Sequence, residues 1–133
     1  MKRKRRSHAS RSARGITFDT GMLIATERRK TSALVLLRAC RLARVPITIP
    51  AAVVAEWWRG EHPGLLELGV LEALTPELAK CAGELLARTG GSNAVDALVV
   101  ASAAQRGDLI ATSDPSDLKE LAKLVDGVDV EAV

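Results

Sequence analysis

Aromatic residues are nearly missing from this sequence: they make up 2% of it, and there is no tyrosine. A core built without them must consist of Leu, Val, Ile and Ala, and apolar residues supply 47% of the 133-residue chain. No apolar run approaches the roughly 20 residues that a membrane span requires, so we expect no membrane partner. The composition therefore predicts one globular domain with an aliphatic core.

Cysteine and histidine are equally scarce, with two of each. Cys40 and Cys81 lie outside any CxxC pattern, and His8 and His62 do not form a zinc pair with them. Lone thiols are typical of reduced proteins, and no apolar segment of a secretory signal follows the basic start. We therefore expect a cytoplasmic protein.

Acidic residues are absent from residues 1–14, which hold seven of the 19 Lys and Arg residues. Subtracting these seven charges from the net charge of +3 leaves −4 for residues 15–133. A mildly acidic domain over residues 15–133 is therefore predicted to carry a basic, disordered arm. The composition of the arm suits binding to nucleic-acid phosphates, and it equally suits a solvated tail or an early start codon.

Short β-prone segments alternate with helical segments along residues 15–133. The predicted strands cover residues 16–18, 46–49, 70–74, 108–112 and 127–133, the last at an edge of the sheet. Helical patterns fill the intervals between them. This alternation predicts an α/β fold with a parallel sheet.

Two of the predicted helices have expected buried faces. One runs from about residue 31 to 45, with Thr31 or Ser32 as its cap and with Leu34, Leu37 and Leu42 turned inward. The other starts at residue 93 and runs to about 106. Because it is apolar nearly all round, we expect it to be buried.

Four carboxylates stand out by their positions. Asp19 and Asp114 follow the first and fourth strands, Asp96 lies in the first turn of the buried helix, and Glu56 lies on the helix after the second strand. Taken singly, each has a structural explanation. Asp19 and Asp114 are favoured helix N-caps, Asp96 can accompany an Asn93 cap, and Glu56 can be solvated.

Taken together, these carboxylates indicate a metal site. In a parallel sheet Asp19 and Asp114 share one edge, and the first turns of the helices that carry Asp96 and Asp114 point to the same edge. Converging carboxylates repel one another, and hard cations such as Mg²⁺ or Mn²⁺ relieve that repulsion because they prefer oxygen ligands. Such a site activates water and neutralises charge on a phosphate under attack.

Three segments, taken in order with Glu56, carry a resemblance to a known family. They are FDTGMLIA (18–25), NAVDALVVASA (93–103) and ATSDPSDL (111–118). In this order they resemble a PIN-domain ribonuclease, and are most similar to the compact VapC-type toxins of type II toxin–antitoxin pairs. The resemblance spans residues 15–133. The basic arm departs from it, because such toxins usually begin almost at the first strand.

The resemblance implies a fold, an activity and a set of site residues. It implies a three-layer α/β/α sandwich around a mainly parallel sheet of about five strands, and Mg²⁺- or Mn²⁺-dependent RNA cleavage. It also implies inhibition by a cognate antitoxin, and commonly homodimers. Its catalytic and metal-binding acids correspond to Asp19, Glu56, Asp96 and Asp114, with Glu56 acting directly or through water. Thr112 matches a small supporting hydroxyl residue, and Asp117 matches a frequent auxiliary acid.

Other folds with an acid at a strand end fit less well. A response-regulator receiver needs an acidic pair after its first strand, and a haloacid-dehalogenase-type phosphatase needs Asp-x-Asp where this chain has Asp19-Thr20-Gly21. Glycine patterns for nucleotide binding are absent. The alternative that stays open is a non-catalytic module of the same fold that binds RNA or a protein partner.

Overall fold

The structure is a computed structural model that describes residues 14–90 and 93–133. The strands are β1 (Ile16–Phe18), β2 (Ile47–Pro50), β3 (Val70–Glu72), β4 (Leu109–Thr112) and β5 (Asp129–Ala132). The helices are α1 (Thr20–Glu27), α2 (Thr31–Leu42), α3 (Ala51–Trp57), α4 (Pro76–Thr89), α5 (Ala94–Arg106) and α6 (Pro115–Ala122), with a 3-10 helix at Pro63–Leu68. The predicted strands and helices are confirmed, with shifts of a few residues at their ends.

The five strands form one parallel sheet in the order β3-β2-β1-β4-β5. From β1 the chain moves outward to β2 and β3, and it then returns to add β4 and β5 on the other side. Because parallel crossovers are right-handed, the helices between β1 and β3 cover one face and those between β3 and β5 cover the other. The predicted α/β/α sandwich is thereby confirmed.

The centre of the sheet is buried on both faces. β1 is fully buried, and Phe18, Ile49 and Ile110 are inaccessible to solvent on three adjacent strands. Aliphatic residues and small alanines of the helices complete the core, including Val99, Val100 and Ala103 of α5. The expectation that α5 is buried is confirmed for its central and later turns.

The predicted orientation of α2 was partly wrong. Its buried residues are Ala33, Leu37 and Cys40, whereas Leu42 is 75% exposed. Leu42 lies five residues after Leu37, so helical geometry rotates it about 140° away from the buried side. The predicted caps were also wrong, because Lys30 occupies the N-cap position and no side chain caps this helix.

The predicted basic arm lies outside the described residues except for Arg14. The Arg14 guanidinium donates to the carbonyl oxygens of Gly107 and Gly127 at 2.9 and 3.1 Å, and it forms an ion pair with Asp129 at 2.9 Å. Arg14 is therefore joined to the segments that precede β4 and β5. Over the part of the chain that the structure describes, no helix is long and apolar enough to cross a membrane.

Candidate functional site

Asp19 occupies the junction between β1 and α1. Its backbone amide donates to the Ala111 carbonyl at 3.3 Å, which keeps the chain beside β4 for one residue beyond the strand. One carboxylate oxygen accepts the Met22 amide at 2.8 Å, so Asp19 is the N-cap of α1. The capping role that the sequence allowed is therefore real, and it uses only one of the two carboxylate oxygens.

The Asp19 carboxylate is buried, with 7% of the residue exposed. The pKa of Asp19 is raised to about 6, chiefly by burial, and the nearby charges of Asp96 and Glu56 act in the same direction. Hydrogen bonding by Thr112 and by the Met22 amide acts in the opposite direction but does not cancel the effect of burial. An acid with such a pKa lies in a site where a proton, or another cation, is strongly favoured.

Gly21 lets the turn after β1 approach the turn after β4. A Cβ atom at this position would lie 2.6 Å from Ser113 Oγ and 3.0 Å from the Ser113 backbone nitrogen. Only glycine fits a contact this close without a shift of the backbone. The Asp-Thr-Gly sequence therefore combines a buried acid with the close approach that brings Ser113 and Asp114 next to it.

Asp114 stands at the end of β4, where the Thr112 hydroxyl accepts its backbone amide at 3.0 Å. It occupies the N-cap position of α6, but its side chain makes no capping hydrogen bond within the described residues. The Ser116 hydroxyl donates weakly to its carboxylate at 3.4 Å. The alternative role of Asp114 as a capping side chain is therefore wrong, and its carboxylate stays exposed at the sheet edge.

Asp96 lies in the first turn of α5, and the cap of that helix is Asn93. The Asn93 side-chain oxygen accepts the amides of Val95 and Asp96 at 2.7 and 3.3 Å, so the Asp96 carboxylate is not needed for capping. The pKa of Asp96 is raised to about 6. Desolvation is the largest cause, and the charges of Asp117, Glu56 and Asp114 act in the same direction, in decreasing order. The charge of Asp117 therefore affects Asp96 more than the charge of Asp114 does.

Glu56 projects from α3 toward α1. It accepts a hydrogen bond from the Thr20 hydroxyl, and its charge raises the pKa of both Asp19 and Asp96. The helical pattern placed Glu56 off the apolar stripe of α3, and the structure shows that this side faces the other acids. One residue of the Asp-Thr-Gly segment thus orients an acid on a different helix.

We call these five acids the acidic edge: Asp19, Glu56, Asp96, Asp114 and Asp117. Among the ion pairs of residues 14–90 and 93–133, none involves a member of the acidic edge. Asp96 and Glu56 raise the pKa of Asp19, and Asp117, Glu56 and Asp114 raise the pKa of Asp96. The acidic edge is thus a concentration of negative charge without a cationic side chain in the described parts of the chain.

The acidic edge also coincides with the topological switch point of the sheet. The connection after β1 runs toward β2, whereas the connection after the neighbouring strand β4 runs toward β5. The two connections diverge and leave a crevice at the carboxyl ends of these strands, which is where open parallel sheets bind ligands. Asp19 and Asp114 flank this crevice.

The donor atoms at the acidic edge suit a divalent metal, but their spacing does not form a metal-binding group. All five donors are carboxylates, which hard cations prefer, and the raised pKa values of Asp19 and Asp96 show that positive charge would be favoured. Within the described ranges, no three His, Cys, Asp or Glu side chains are close enough together to form a metal-binding group.

A second polar cluster was not predicted from the sequence. We call it the Arg106 network: Thr17, Glu72, Ser102, Arg106 and Asp108. The Arg106 guanidinium pairs with Glu72 and with Asp108 (2.9 Å), and it donates to the hydroxyls of Thr17 and Ser102. The available signal was Thr17, a polar residue in a fully buried strand, because such a group needs a partner.

Similar chains are found among solved structures only. No protein-family model matches the sequence, and no curated protein is similar to it. One similar chain belongs to VapBC2 from Rickettsia felis bound to a promoter DNA fragment. It has a TM-score of 0.67 at 16% identity, and the match covers 89% of this chain and 98% of that one.

Two further complexes contain chains of the same fold. The DNA-bound VapBC of Salmonella typhimurium gives a TM-score of 0.67 at 15% identity, with 90% of this chain and 98% of that chain covered. FitAB bound to the IR36 DNA fragment gives 0.63 at 22% identity, with 88% and 94% covered. At such low identities the similarity establishes the fold alone: this chain has the PIN-like α/β/α fold of the similar chains in the VapBC and FitAB complexes.

Proposed function

We propose that this protein is a Mg²⁺- or Mn²⁺-dependent endoribonuclease that acts as the toxin of a toxin–antitoxin pair. The observation that carries the proposal is the acidic edge at the switch point, where the charges of neighbouring carboxylates raise the pKa of Asp19 and of Asp96 and no described cationic side chain forms an ion pair with any of the five acids. A protein gains no stability from such an arrangement, because like charges repel and burial of Asp19 adds a desolvation cost.

Asp19, Asp96 and Asp114 are the residues proposed to hold the metal, with Asp117 as an auxiliary ligand. Asp19 is already oriented by the Met22 amide, which donates to its Oδ1 atom. Asp96 is relieved of capping by Asn93, and Asp114 makes no capping bond. When bound, a divalent cation lowers the pKa of water and offsets the charge that develops on the attacked phosphate.

Glu56 is proposed to orient the water that attacks the phosphodiester. The Thr20 hydroxyl donates to its Oε1 atom, so its Oε2 atom can accept a proton of that water. Thr112 has a supporting role, because its hydroxyl holds the Asp114 amide and fixes the start of the loop before α6. No side chain needs to act as a covalent nucleophile.

The proposed partners are an RNA substrate, a cognate antitoxin protein and a second copy of the chain. The similar VapBC and FitAB chains were solved in complexes bound to DNA, which supports an antitoxin partner here. Exposed apolar side chains on α2 and around β3 are available for protein contacts: Val35, Leu42, Val70, Leu71 and Leu74. Large apolar residues are enriched in the centres of such interfaces.

A non-catalytic binding module of the same fold is the alternative. Asp19 gives it some support, because a capping role alone would explain that residue. It does not explain why Asp96 and Asp114, which do not cap, converge on the same edge.

The test is Asp96→Asn, with Asp126→Asn as a matched control. Asparagine keeps the shape of Asp96 but removes the charge that would hold a cation. Asp126 is exposed and precedes β5, at the amino ends of the strands, whereas the acidic edge lies at their carboxyl ends. The control therefore makes the same chemical change away from the acidic edge. We expect Asp96→Asn to lose RNA cleavage in Mg²⁺ or Mn²⁺ and to arrest growth no longer, while Asp126→Asn matches the parent.

The stability of Asp96→Asn also distinguishes a metal-binding role of Asp96 from a role that only favours the helix N-terminus. Without metal, Asp96→Asn should be as stable as the parent or more stable, because it removes repulsion from Asp117, Glu56 and Asp114. A residue that only favours the helix N-terminus would instead cost roughly 0.3–1 kcal/mol on substitution. A folded Asp96→Asn protein that cleaves RNA as fast as the parent would sink the assignment of Asp96 as a metal-binding residue.

A further inference from the structure

A surface cleft of about 370 Å³ lies beside the acidic edge and shares Glu56 with it. One wall comes from the end of α1, and the other comes from the end of α3 and the segment up to His62. This volume lies at the lower end of the range for small-ligand sites. The cleft is therefore large enough for one nucleotide unit, and too small for a duplex.

Three acids line the cleft together with His62 and two arginines, and one of the acids, Glu56, has only the Thr20 hydroxyl as a partner among the described residues. His62 Nε2 lies 3.1 Å from Glu27 Oε2 and 3.8 Å from Glu61 Oε2, so both glutamates have a nearby basic partner. Arg28 and Arg59 are exposed on opposite walls, and neither forms an ion pair with another described residue. Arg59 only donates to the neighbouring Trp58 carbonyl.

The backbone beside Arg59 is held in an unfavourable conformation. His62 has φ 56° and ψ 49°, a left-handed conformation that is uncommon for a residue with a side chain, and a proline follows it. The contact between His62 and Glu27 ties this strained turn to α1 across the cleft. Strain of this kind is concentrated at ligand-binding sites, where surrounding contacts maintain it.

We propose that this cleft binds the nucleotide adjacent to the cleaved phosphate of a single-stranded RNA, with Arg28 and Arg59 as its phosphate-binding residues. The inference rests on the proposed ribonuclease function. An RNA strand that places one phosphate at the acidic edge must continue past Glu56, where the carboxylates would repel its next phosphate. Two arginines supply the required positive charge, and the guanidinium fork matches phosphate geometry.

The experiment measures kcat and KM separately for a single-stranded RNA that the parent cleaves. The variants are Arg28→Gln and Arg59→Gln, and the control is Arg38→Gln, which removes an exposed charge from α2 outside the cleft. Both cleft variants should fold, because the two side chains are exposed. We expect KM to rise about tenfold in each, as for the loss of a hydrogen bond to a charged group, with kcat within about twofold.

Shortened substrates locate the contact. An RNA that ends in a hydroxyl at the nucleotide next to the cleaved bond, and so lacks the next phosphate on that side, should give the parent the same raised KM, and on that RNA the two arginine variants should cause no further loss. The corresponding duplex should be cleaved poorly by every protein. Equal KM values for duplex and single strand would overturn the assignment of a single-stranded substrate.

The outcomes separate this inference from the proposed function. If the parent cleaves RNA and both cleft variants have the KM of Arg38→Gln, the cleft assignment is wrong and the ribonuclease proposal stands. If the parent cleaves no RNA with either metal, the ribonuclease proposal falls. Binding of the same single-stranded RNA to the metal-free protein then decides the cleft: a tenfold weaker Kd in both variants supports it, and an unchanged Kd overturns it.

Discussion

Two buried aspartates next to the same central strands have opposite surroundings. Asp108 precedes β4, is 1% exposed, and pairs with the Arg106 guanidinium, with the Thr17 hydroxyl as a further partner. Asp19 follows β1, is 7% exposed, and has other carboxylates as its charged neighbours. One aspartate is paired with a cation, and the other has a raised pKa.

The difference distinguishes a structural carboxylate from one that is available for binding. A buried charge is tolerated when a cation and hydrogen bonds compensate it, as in the Arg106 network. At the acidic edge the described residues provide hydrogen bonds from Met22 and Thr20 but no cation. Among the described residues, these two clusters differ in one respect: a cation compensates the acids of the Arg106 network, and no cation pairs with those of the acidic edge.

Removing the cation from the Arg106 network should give the largest loss of stability. Arg106→Leu leaves Asp108 buried without its charged partner and Glu72 without its ion pair. We expect a loss of roughly 2–3 kcal/mol, below the range for a fully buried pair because the guanidinium is partly exposed. Urea unfolding measures it, with Arg38→Leu as the control. Equal midpoints for the two variants would remove the contrast between the clusters.

Gly21→Ala should separate the two turns that form the acidic edge. The added methyl group would meet the Ser113 backbone at 3.0 Å, so the turn after β1 must move away from β4. We expect a loss of about 2 kcal/mol, as for an overpacked contact, together with loss of RNA cleavage.

Gly83→Ala is the matched control for this substitution. Gly83 lies inside α4 with open space around its Cβ position, so alanine should stabilise the helix by about 0.5–1 kcal/mol. The same chemical change should therefore have opposite signs at the two glycines. A Gly21→Ala protein with parental stability and activity would show that the close approach to Ser113 is unnecessary.

The pH dependence of stability should reveal the uncompensated charge of Asp19. Its pKa is about 6 in the folded protein and close to the ordinary aspartate value of 3.8 in the unfolded chain, so the folded state binds the proton more tightly. The resulting stabilisation is complete below about pH 4, and it is lost as the pH rises through 6. In metal-free buffer, we expect a loss of roughly 2 kcal/mol between about pH 4 and pH 7.

Asp19→Asn isolates this effect. The variant keeps an oxygen that can cap α1, but it has no charge to titrate, so its free energy of unfolding should change less between pH 4 and pH 7. Urea unfolding at several pH values in EDTA measures the difference. Parallel pH profiles for the parent and Asp19→Asn would mean that the surroundings of Asp19 do not raise its pKa.

Metal binding should give the smallest effect and should depend on the acidic edge alone. A ligand that binds only the folded state adds RT ln(1 + [L]/Kd), which is about 1 kcal/mol at a concentration a few times Kd. Millimolar Mn²⁺ or Mg²⁺ should therefore raise the Tm by a few degrees in the parent and in Asp126→Asn, but less in Asp19→Asn. Identical melting curves in EDTA and in Mn²⁺ would contradict a metal site.

Local patterns in the sequence determined most of the secondary structure and the positions of the acids. Strand ends are visible where β-prone runs meet Asp19 or Thr112, and helix starts are visible at Asn93, because these signals involve neighbouring residues only. The same locality explains the errors. The inward side of α2 depends on what lies against it, so Leu42 could not be distinguished from Leu37 by pattern alone.

Which of these residues meet depends on the topology of the sheet. The order β3-β2-β1-β4-β5 puts β1 beside β4, and so places Asp19 near Asp114 although they are 95 positions apart in the chain. It also joins Thr17 to Asp108 and Arg106 to Glu72. Hydrogen bonding between strands and burial of apolar faces fix these distant pairings, whereas interactions between neighbouring residues suffice to specify the strands, the helices and the positions of the acids that the pairings bring together.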